Sequence, residues 1–372
     1  METQAVKPEP PSASGLTPRP GGASGGWRRL RSSVAGLPEL GLIGVVLVLG
    51  LVLTALGWSN ALPGRPNTFL GFDNLVEGIA APMSIYAIMA LGMTCVIITG
   101  GIDISVGSTM ALAALGGAWV LQQFPQDASA AAVLPSVAGV TCGIGLACGL
   151  FNGGCVVGLR MHPFVVTLGT MSIFRGLATV LPPQATLPVP PRMLPTAFTD
   201  DFMRLEWHGL RVMPLLVMLA CTAAAWGFLA WTVAGRQTYA VGSNETAARF
   251  SGLPVGWIKV RVYAISGLCA GIAGMVSLGR FGTASTNTAT GYELMVVAAA
   301  VVGGASLSGG RGTALGALLG TLVIAMIENG ILIARLNMEY RLVIIGGAII
   351  AAVAMERASA SWRGRRSRKV AA

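Results

Sequence analysis

Charged residues make up only 11% of this 372-residue chain, whereas 53% of its residues are hydrophobic. A soluble globular domain has about 25% charged residues, so water is not the main solvent of this protein. A bilayer core about 30 Å thick needs roughly 20 apolar residues for each helix that crosses it. The chain therefore has room for about ten crossings and none for a soluble enzyme domain.

Residues that commonly carry catalysis or bind metals are few. His162 and His208 are the only histidines, neither lies in an apolar run, and no H-E-x-x-H sequence exists. These absences disfavour an intramembrane hydrolase, which was one alternative. The six cysteines lie in apolar segments without C-x-x-C spacing or neighbouring histidines, so no metal site is expected.

The net charge of +10 does not indicate nucleic-acid binding, because the basic residues are not gathered on a water-facing surface with interleaved aromatics. Nucleotide hydrolysis is excluded by a similar argument. Gly304 and Gly309 have the spacing of a phosphate loop, but Gly310 and Arg311 stand where lysine and Ser or Thr are required. No cofactor is therefore expected in this chain, and ATP that powers it must be hydrolysed by a partner subunit.

Residues 1–37 are rich in Pro, Gly and Ser, which predicts a disordered cytoplasmic tail. Residues 38–356 are predicted to form the transmembrane domain, and 357–372 a basic cytoplasmic tail. A cleavable signal was the alternative for the first apolar run, but the run is long and no A-x-A site follows it. The predicted spans are 40–58, 78–98, 104–121, 133–157, 164–181, 212–233, 262–279, 294–307, 313–334 and 341–355.

The distribution of positive charge supports this count. Short cytoplasmic loops carry an excess of Lys and Arg, and most basic residues fall in segments that are cytoplasmic if the N-terminus is inside. Because both tails are basic, an even number of spans is favoured. We therefore expect an all-α polytopic membrane helix bundle with about ten transmembrane helices and both termini cytoplasmic. The runs 294–307 and 341–355 are shorter than a full crossing.

Two glycine clusters, 100–107 and 303–310, share the frame Gly-Gly-x-x-x-Ser-x-Gly. Broken helices at membrane depth often mark a substrate path, whereas the alternative is that the glycines only allow close helix packing. For the many scattered glycines we favour packing, and for these two clusters the path. The candidates in the clusters for a translocation path or gate are Gly100, Gly101, Asp103, Ser105, Gly303, Gly304, Ser306 and Ser308.

Arg175 lies inside the predicted span 164–181 and is a further path candidate. A charge at that depth is costly and usually faces protein or water. Snorkelling of the long side chain to the outer interface is the alternative.

The loop 235–261 contains a short segment with the signals of a capped helix on the cytoplasmic face. Ser243 or Asn244 can cap it, and Gly252 followed by Pro254 can end it. Such a helix fits a groove on a partner, and the alternative is a connector that lies on lipid headgroups. The residues assigned to this coupling loop are Asn244, Glu245, Ala247, Ala248, Arg249 and Gly252.

The predicted outer loop 182–211 begins with several prolines and continues with Asp200, Asp201 and Glu206. A stiff, polar outer surface suits the docking of a separate solute-binding protein, although a simple connector is an equal alternative.

At these motifs the chain resembles a known family. The 235–261 loop resembles the EAA-type coupling loop of importer permeases, and residues 91–108, 162–178 and 301–320 are similar to the ribose-type sugar permeases of ABC importers. The resemblance covers about residues 75–335. It implies about ten helices, a permease dimer in the bacterial inner membrane, two cytoplasmic ATPase subunits and a periplasmic binding protein that delivers a monosaccharide. It assigns coupling positions to Glu245, Ala247, Ala248 and Gly252.

Two transport alternatives stay open. An ion-driven secondary transporter usually needs intramembrane Asp, Glu or His residues, which the firm spans almost lack. A related permease for branched-chain amino acids or a sugar-derived signal differs in cargo only.

Overall fold

The computed structural model describes residues 39–59 and 68–350, except 183, 189–192, 208–209, 338, 342, 345 and 348–349. The predicted tails 1–37 and 357–372 lie outside these residues, as does most of the predicted span 341–355. The regular secondary structure of the described residues is helical apart from two pairs of two-residue strands. This confirms the all-α membrane fold.

The helices are α1 (Glu39–Ser59), α2 (Ala81–Ile98, preceded by the π-helical turn Asn74–Ala80), α3 (Val106–Leu121), α4 (Ala130–Gly158), α5 (Pro163–Val180), α6 (Met213–Trp231), α7 (Val233–Ser243), α8 (Glu245–Phe250), α9 (Val255–Phe281), α10 (Tyr292–Val302) and α11 (Ala314–Ile333). Short helical turns also occur at Thr196–Phe198 and Thr199–Met203. Strand β1 (Thr186–Leu187) pairs with β4 (Ala284–Ser285), and β2 (Glu206–Trp207) pairs with β3 (Leu210–Arg211).

Seven of the described helices are long and apolar enough to cross a membrane, judged by length and composition. Two predicted spans are shorter than expected: α3 has 16 residues and α10 has 11. At 1.5 Å per residue, α10 rises only about 16 Å, which is about half of a bilayer core. The flanking loops must supply the rest of any crossing, and they are covered by protein at Ala284, Ala289 and Ala305, as irregular backbone at membrane depth requires.

Helix α2 forms the centre of the bundle, and every one of its residues except Pro82 is buried. Helices α6, α9, α10 and α11 pack around it. In contrast, α1 lies at the edge of the bundle, and most of its apolar side chains are exposed. Because lipid is the solvent there, an all-round apolar surface needs no further cover.

Contacts between loops show which loops lie together at each end of the bundle. At one end Thr313 donates a hydrogen bond to Glu39, and the Gly310 amide donates to the Ile98 carbonyl. At the other end Arg204 donates to the Arg280 carbonyl. The first group of loops is the one that the charge pattern predicts to be cytoplasmic, and we call it the inner end.

Glycines allow a close backbone contact between α4 and α9. A Cβ atom added to Gly145 would overlap the carbonyl oxygen of Gly267, and a Cβ atom on Gly149 would overlap that of Tyr263. Since lipid gives helices no hydrophobic drive to associate, such small residues let two backbones approach. The packing role predicted for the scattered glycines is confirmed here.

We expect Gly145→Ala to lower the free energy of unfolding by about 1–3 kcal/mol, because the new methyl group overpacks a backbone contact. Gly143→Ala is the matched control, since a Cβ atom there meets nothing within 4 Å. Thermal unfolding of the purified protein in detergent measures both. Equal melting temperatures for the two variants would contradict the packing assignment.

Candidate functional site

The two glycine clusters meet at the inner end of the bundle. The amide of Gly310 donates to the carbonyl of Ile98 at 2.8 Å, just before the first cluster begins. A Cβ atom on Gly309 would lie 3.2 Å from the Gly100 nitrogen and 2.7 Å from the Gly242 carbonyl oxygen. The end of α7 therefore joins the two clusters, and we call this contact the glycine junction.

Backbone conformation explains some of these glycines. Gly100, Gly304, Gly309 and Gly310 have φ values between 74° and 89°, in the left-handed region that side chains disfavour. Gly101 and Gly303 have a steric reason instead. A Cβ atom would lie 2.7 Å from the Tyr263 hydroxyl at Gly101 and would overlap the Gly316 carbonyl at Gly303.

Asp103 is 1% exposed and forms the centre of a polar cluster. Its carboxylate accepts hydrogen bonds from the Ser105 hydroxyl at 2.6 Å, the Ser105 amide at 3.1 Å and the Ser266 hydroxyl at 2.9 Å. Asn152 adds a longer bond of 3.4 Å and a 2.7 Å bond to the Ser105 hydroxyl. Asp103 and Ser105 thus tie the 99–105 loop to α4 and α9.

The serines of the second cluster bond to each other, with 2.8 Å between the Ser306 and Ser308 hydroxyl oxygens. Ser306 is buried, whereas Ser308 is exposed at the inner end. Tyr239 in α7 donates to the carbonyl of Gly312 at 2.7 Å. The second loop is therefore attached to α7 by a side chain as well as through the glycine junction.

Arg175 lies away from these groups, at the outer end. Its guanidinium Nη1 donates to the carbonyl oxygens of Thr286 and Thr288, each at 2.8 Å. Arg175 therefore anchors the loop between α9 and α10, next to the β1–β4 pair. The structure does not bring it together with the glycine clusters, and its role in a path stays a prediction.

The coupling loop forms two helices separated by a sharp break. Asn244 leaves the helical conformation, and its Oδ1 accepts a 2.9 Å hydrogen bond from the Ala247 amide as the N-cap of α8. Gly252, with φ of 78°, follows the end of α8. Ala248 is buried against Val241 and Ile258, so a small apolar core fixes α8 to α7 and α9.

Glu245 forms two ion pairs that hold α8 in place. Its carboxylate lies 2.8 Å from Lys259 in α9 and 3.2 Å from Arg249 one turn along α8. The hydrogen bond from Lys259 is the main cause that lowers the pKa of the Glu245 carboxyl. The stabilisation that the charged carboxylate gives to the fold is therefore present at neutral pH and is lost as the pH falls through that lowered value.

A groove of about 440 Å³ separates α8 from the first glycine cluster. Glu245 and Lys259 line one part of it, and Gly100, Gly101 and His162 line another. A second groove of about 600 Å³ lies beside it and is lined by Arg160, Arg249 and the same ion pair. Glu245 of α8 therefore borders open space on the side of the first glycine cluster.

The sequence reasoning missed the partners of these residues. Asn152, Gly242, Tyr263 and Ser266 are not among the predicted site residues, although each contacts a residue of one of the two glycine clusters. The available signal is the spacing of Lys259, Tyr263 and Ser266, which places three polar groups on one face of α9.

Comparison with known proteins gives consistent matches. The ribose import permease protein of Escherichia coli is 34% identical over 325 residues, which cover 86% of this chain and 94% of that protein. The ribose import permease protein of Bacillus subtilis is 37% identical over 291 residues, 77% of this chain and 85% of that protein. The D-allose transport system permease protein of Escherichia coli is 32% identical over 318 residues, 84% of this chain and 91% of that protein.

No solved structure gives a significant match. The sequence profile of one family, described as branched-chain amino acid transport system / permease component, matches residues 75–353. The matched range includes both glycine clusters, Arg175 and the whole coupling loop. By this match, and by relatives of similar length that are more than 30% identical, the chain belongs to the branched-chain amino acid transport system permease component family.

Proposed function

We propose that this chain is the membrane permease of an ABC importer that carries a monosaccharide into the cytoplasm by alternating access. As a member of its family, the protein is a bacterial inner-membrane permease and not an enzyme, and it works with an ATPase and a solute-binding protein. The observation that carries the sugar assignment is the match along most of the chain to permeases named for ribose, D-allose and galactose.

The coupling loop supports docking of the ATPase at the inner end. Phe250 is 88% exposed at the end of α8, next to Arg249. A large apolar side chain that projects into water together with charged neighbours favours a partner with a complementary groove. The ion pairs of Glu245 and the cap of Asn244 would hold α8 rigid, so that movement of the ATPase moves the helices joined to it.

A second copy of the chain would complete the importer. Helix α5 exposes Gly169, Ser172 and Gly176, and added Cβ atoms at the two glycines meet nothing within 4 Å. Small residues on one helix face favour close packing of helices in membranes. A homodimer with the solute path between the copies fits this surface.

The outer loop supports docking of the solute-binding protein. Arg204 pairs with Asp200 at 3.2 Å and also donates to the carbonyl of Arg280. Glu77 accepts from the Arg211 amide at 2.8 Å. These contacts fix the described part of the 182–211 loop to α9 and to the start of α2, so it can receive a partner without first being ordered.

Uptake of radiolabelled sugars tests the proposal. The full chain is co-reconstituted with its ATPase and sugar-binding protein, and ATP-dependent entry of ribose, allose and galactose is measured beside that of leucine. We expect uptake of at least one sugar and none of leucine. Leucine uptake alone would overturn the cargo assignment and favour the amino acid alternative, which the family description supports.

The same assay tests the coupling loop. Phe250→Asp is expected to abolish uptake and to weaken binding of the ATPase, because a charge replaces the most exposed apolar side chain of α8. Thr246→Asp is the control, since Thr246 is also exposed on α8 but carries no large apolar group. Wild-type ATPase binding by Phe250→Asp would contradict docking at this helix.

A further inference from the structure

Helix α9 contacts both the coupling loop and the first glycine cluster through a single face. Lys259, Tyr263 and Ser266 are spaced by four and three residues, so their side chains lie on one side of the helix. Lys259 pairs with Glu245 at 2.8 Å. The Tyr263 hydroxyl donates to the carbonyl of Ile102 at 3.3 Å, and Ser266 donates to Asp103 at 2.9 Å.

The segment between these contacts is short and rigid. Lys259 and Ser266 are separated by about 10 Å along the axis at 1.5 Å per residue. The helix has no internal proline, and its C-terminal neighbours Gly267 and Gly271 are in backbone contact with α4. A displacement of the inner end of α9 is therefore expected to move the contacts with the 99–105 loop by nearly the same distance.

The receiving loop is also rigid. Asp103 bonds to Ser105 within the loop, and the Ile102 carbonyl accepts a second hydrogen bond from Thr167 of α5 at 3.2 Å. This loop joins the buried helix α2 to α3. A shift of the loop must therefore move α2, α3 or both, because its own hydrogen bonds prevent it from absorbing the change.

The groove between α8 and this loop leaves the contacts of α9 as the link from Glu245 to Asp103. Glu245 and Gly101 both line the groove of about 440 Å³, so Glu245 borders open space at that place. Helix α7 offers a separate route to the second cluster, through Gly242 and Tyr239. Since Gly242 also contacts the Ile98 carbonyl, α7 reaches both clusters at the glycine junction, and α9 adds a separate link from the coupling loop to Asp103.

We propose that Lys259, Tyr263 and Ser266 are positioning residues that form a coupling relay, which transmits movement of α8 to the Asp103 loop. The relay rests on the proposed transport function and adds to it the route by which ATP hydrolysis is linked to the path. It predicts that weakening a relay contact separates hydrolysis from transport without preventing ATPase binding.

The test compares Tyr263→Phe and Ser266→Ala with wild type in the co-reconstituted transporter. Sugar uptake and ATP hydrolysis are measured together, and ATPase binding separately. We expect normal ATPase binding, continued hydrolysis and a fall in uptake per ATP of about fivefold for each variant, the effect of one lost hydrogen bond on an equilibrium. Ser277→Ala, a buried serine on the same helix outside the relay, should keep the wild-type ratio.

A further variant reverses the ion pair, with Glu245→Lys and Lys259→Glu combined. We expect each single change to lower uptake per ATP and the double change to restore part of it. An unchanged ratio in Tyr263→Phe and Ser266→Ala, or an equal fall in Ser277→Ala, would overturn the relay. Failure of the proposed function is distinguishable, because the wild-type transporter would then show no ATP-dependent sugar uptake.

Discussion

Replacing Gly242 by valine is expected to abolish uptake and to destabilise the inner end of the bundle. A Cβ atom at Gly242 would overlap the Ile98 carbonyl oxygen and lie 2.7 Å from the Gly310 nitrogen. These two atoms form the hydrogen bond that joins the glycine clusters. Since backbone atoms on both sides cannot rotate away as a side chain would, the overpacking cost should reach or exceed about 1–3 kcal/mol.

The measurement is sugar uptake at equal membrane expression, together with thermal unfolding of the purified protein. Ala240→Val is the control, because Ala240 is exposed on the same helix two residues earlier and tests the effect of valine in α7 alone. Wild-type uptake and melting temperature in Gly242→Val would show that the glycine junction can separate without loss of function.

The second large effect is expected for Asp103→Leu. The side chain is 1% exposed, and its carboxylate is the shared acceptor for groups of Ser105, Ser266 and Asn152. Leucine leaves these donors buried, and each unsatisfied buried group costs about 1–3 kcal/mol. We therefore expect a loss of several kcal/mol in the free energy of unfolding and little protein in the membrane.

Ile104→Leu is the control, as it changes the shape of the neighbouring apolar side chain without removing an acceptor. Asp103→Asn should fall between Asp103→Leu and wild type, because its amide oxygen still accepts hydrogen bonds. Membrane yield and thermal unfolding in detergent rank the three variants. A melting temperature for Asp103→Leu equal to that of Ile104→Leu would contradict the role of Asp103 as the link between α4 and α9.

Much of the candidate site can be predicted from the sequence, because it depends on interactions between residues close together in the chain. The break at Asn244, the following Glu245 and the terminating Gly252 are caps and charges that act within a few residues, so they predict α8 without tertiary information. The glycine clusters were found for the same reason, since four of their glycines have positive φ values. The partner Asn152 carries no such local signal, because it acts only through residues distant in the chain.

Arg175 and α10 show where sequence reasoning stopped. A charge inside an apolar run indicates that a partner exists, but the carbonyls of Thr286 and Thr288 lie more than 100 residues away and have no side-chain signature. The run 294–307 is already too short for a full crossing in the sequence, and its helix is shorter still, with 11 residues. Hydropathy measures where residues prefer lipid or protein to water, and it does not distinguish a helix from a buried loop.

The sequence by itself determined that this protein is a bundle of apolar helices in a membrane, with its nucleotide chemistry on another subunit and a capped helix in the loop 235–261. These properties follow from composition and from interactions between near neighbours. Only the tertiary structure decided that the two glycine clusters meet at Gly242 and that Asp103 is shared among α4, α9 and its own loop. Those contacts depend on which helix faces pack together, and that choice is made by backbone shape across the whole bundle.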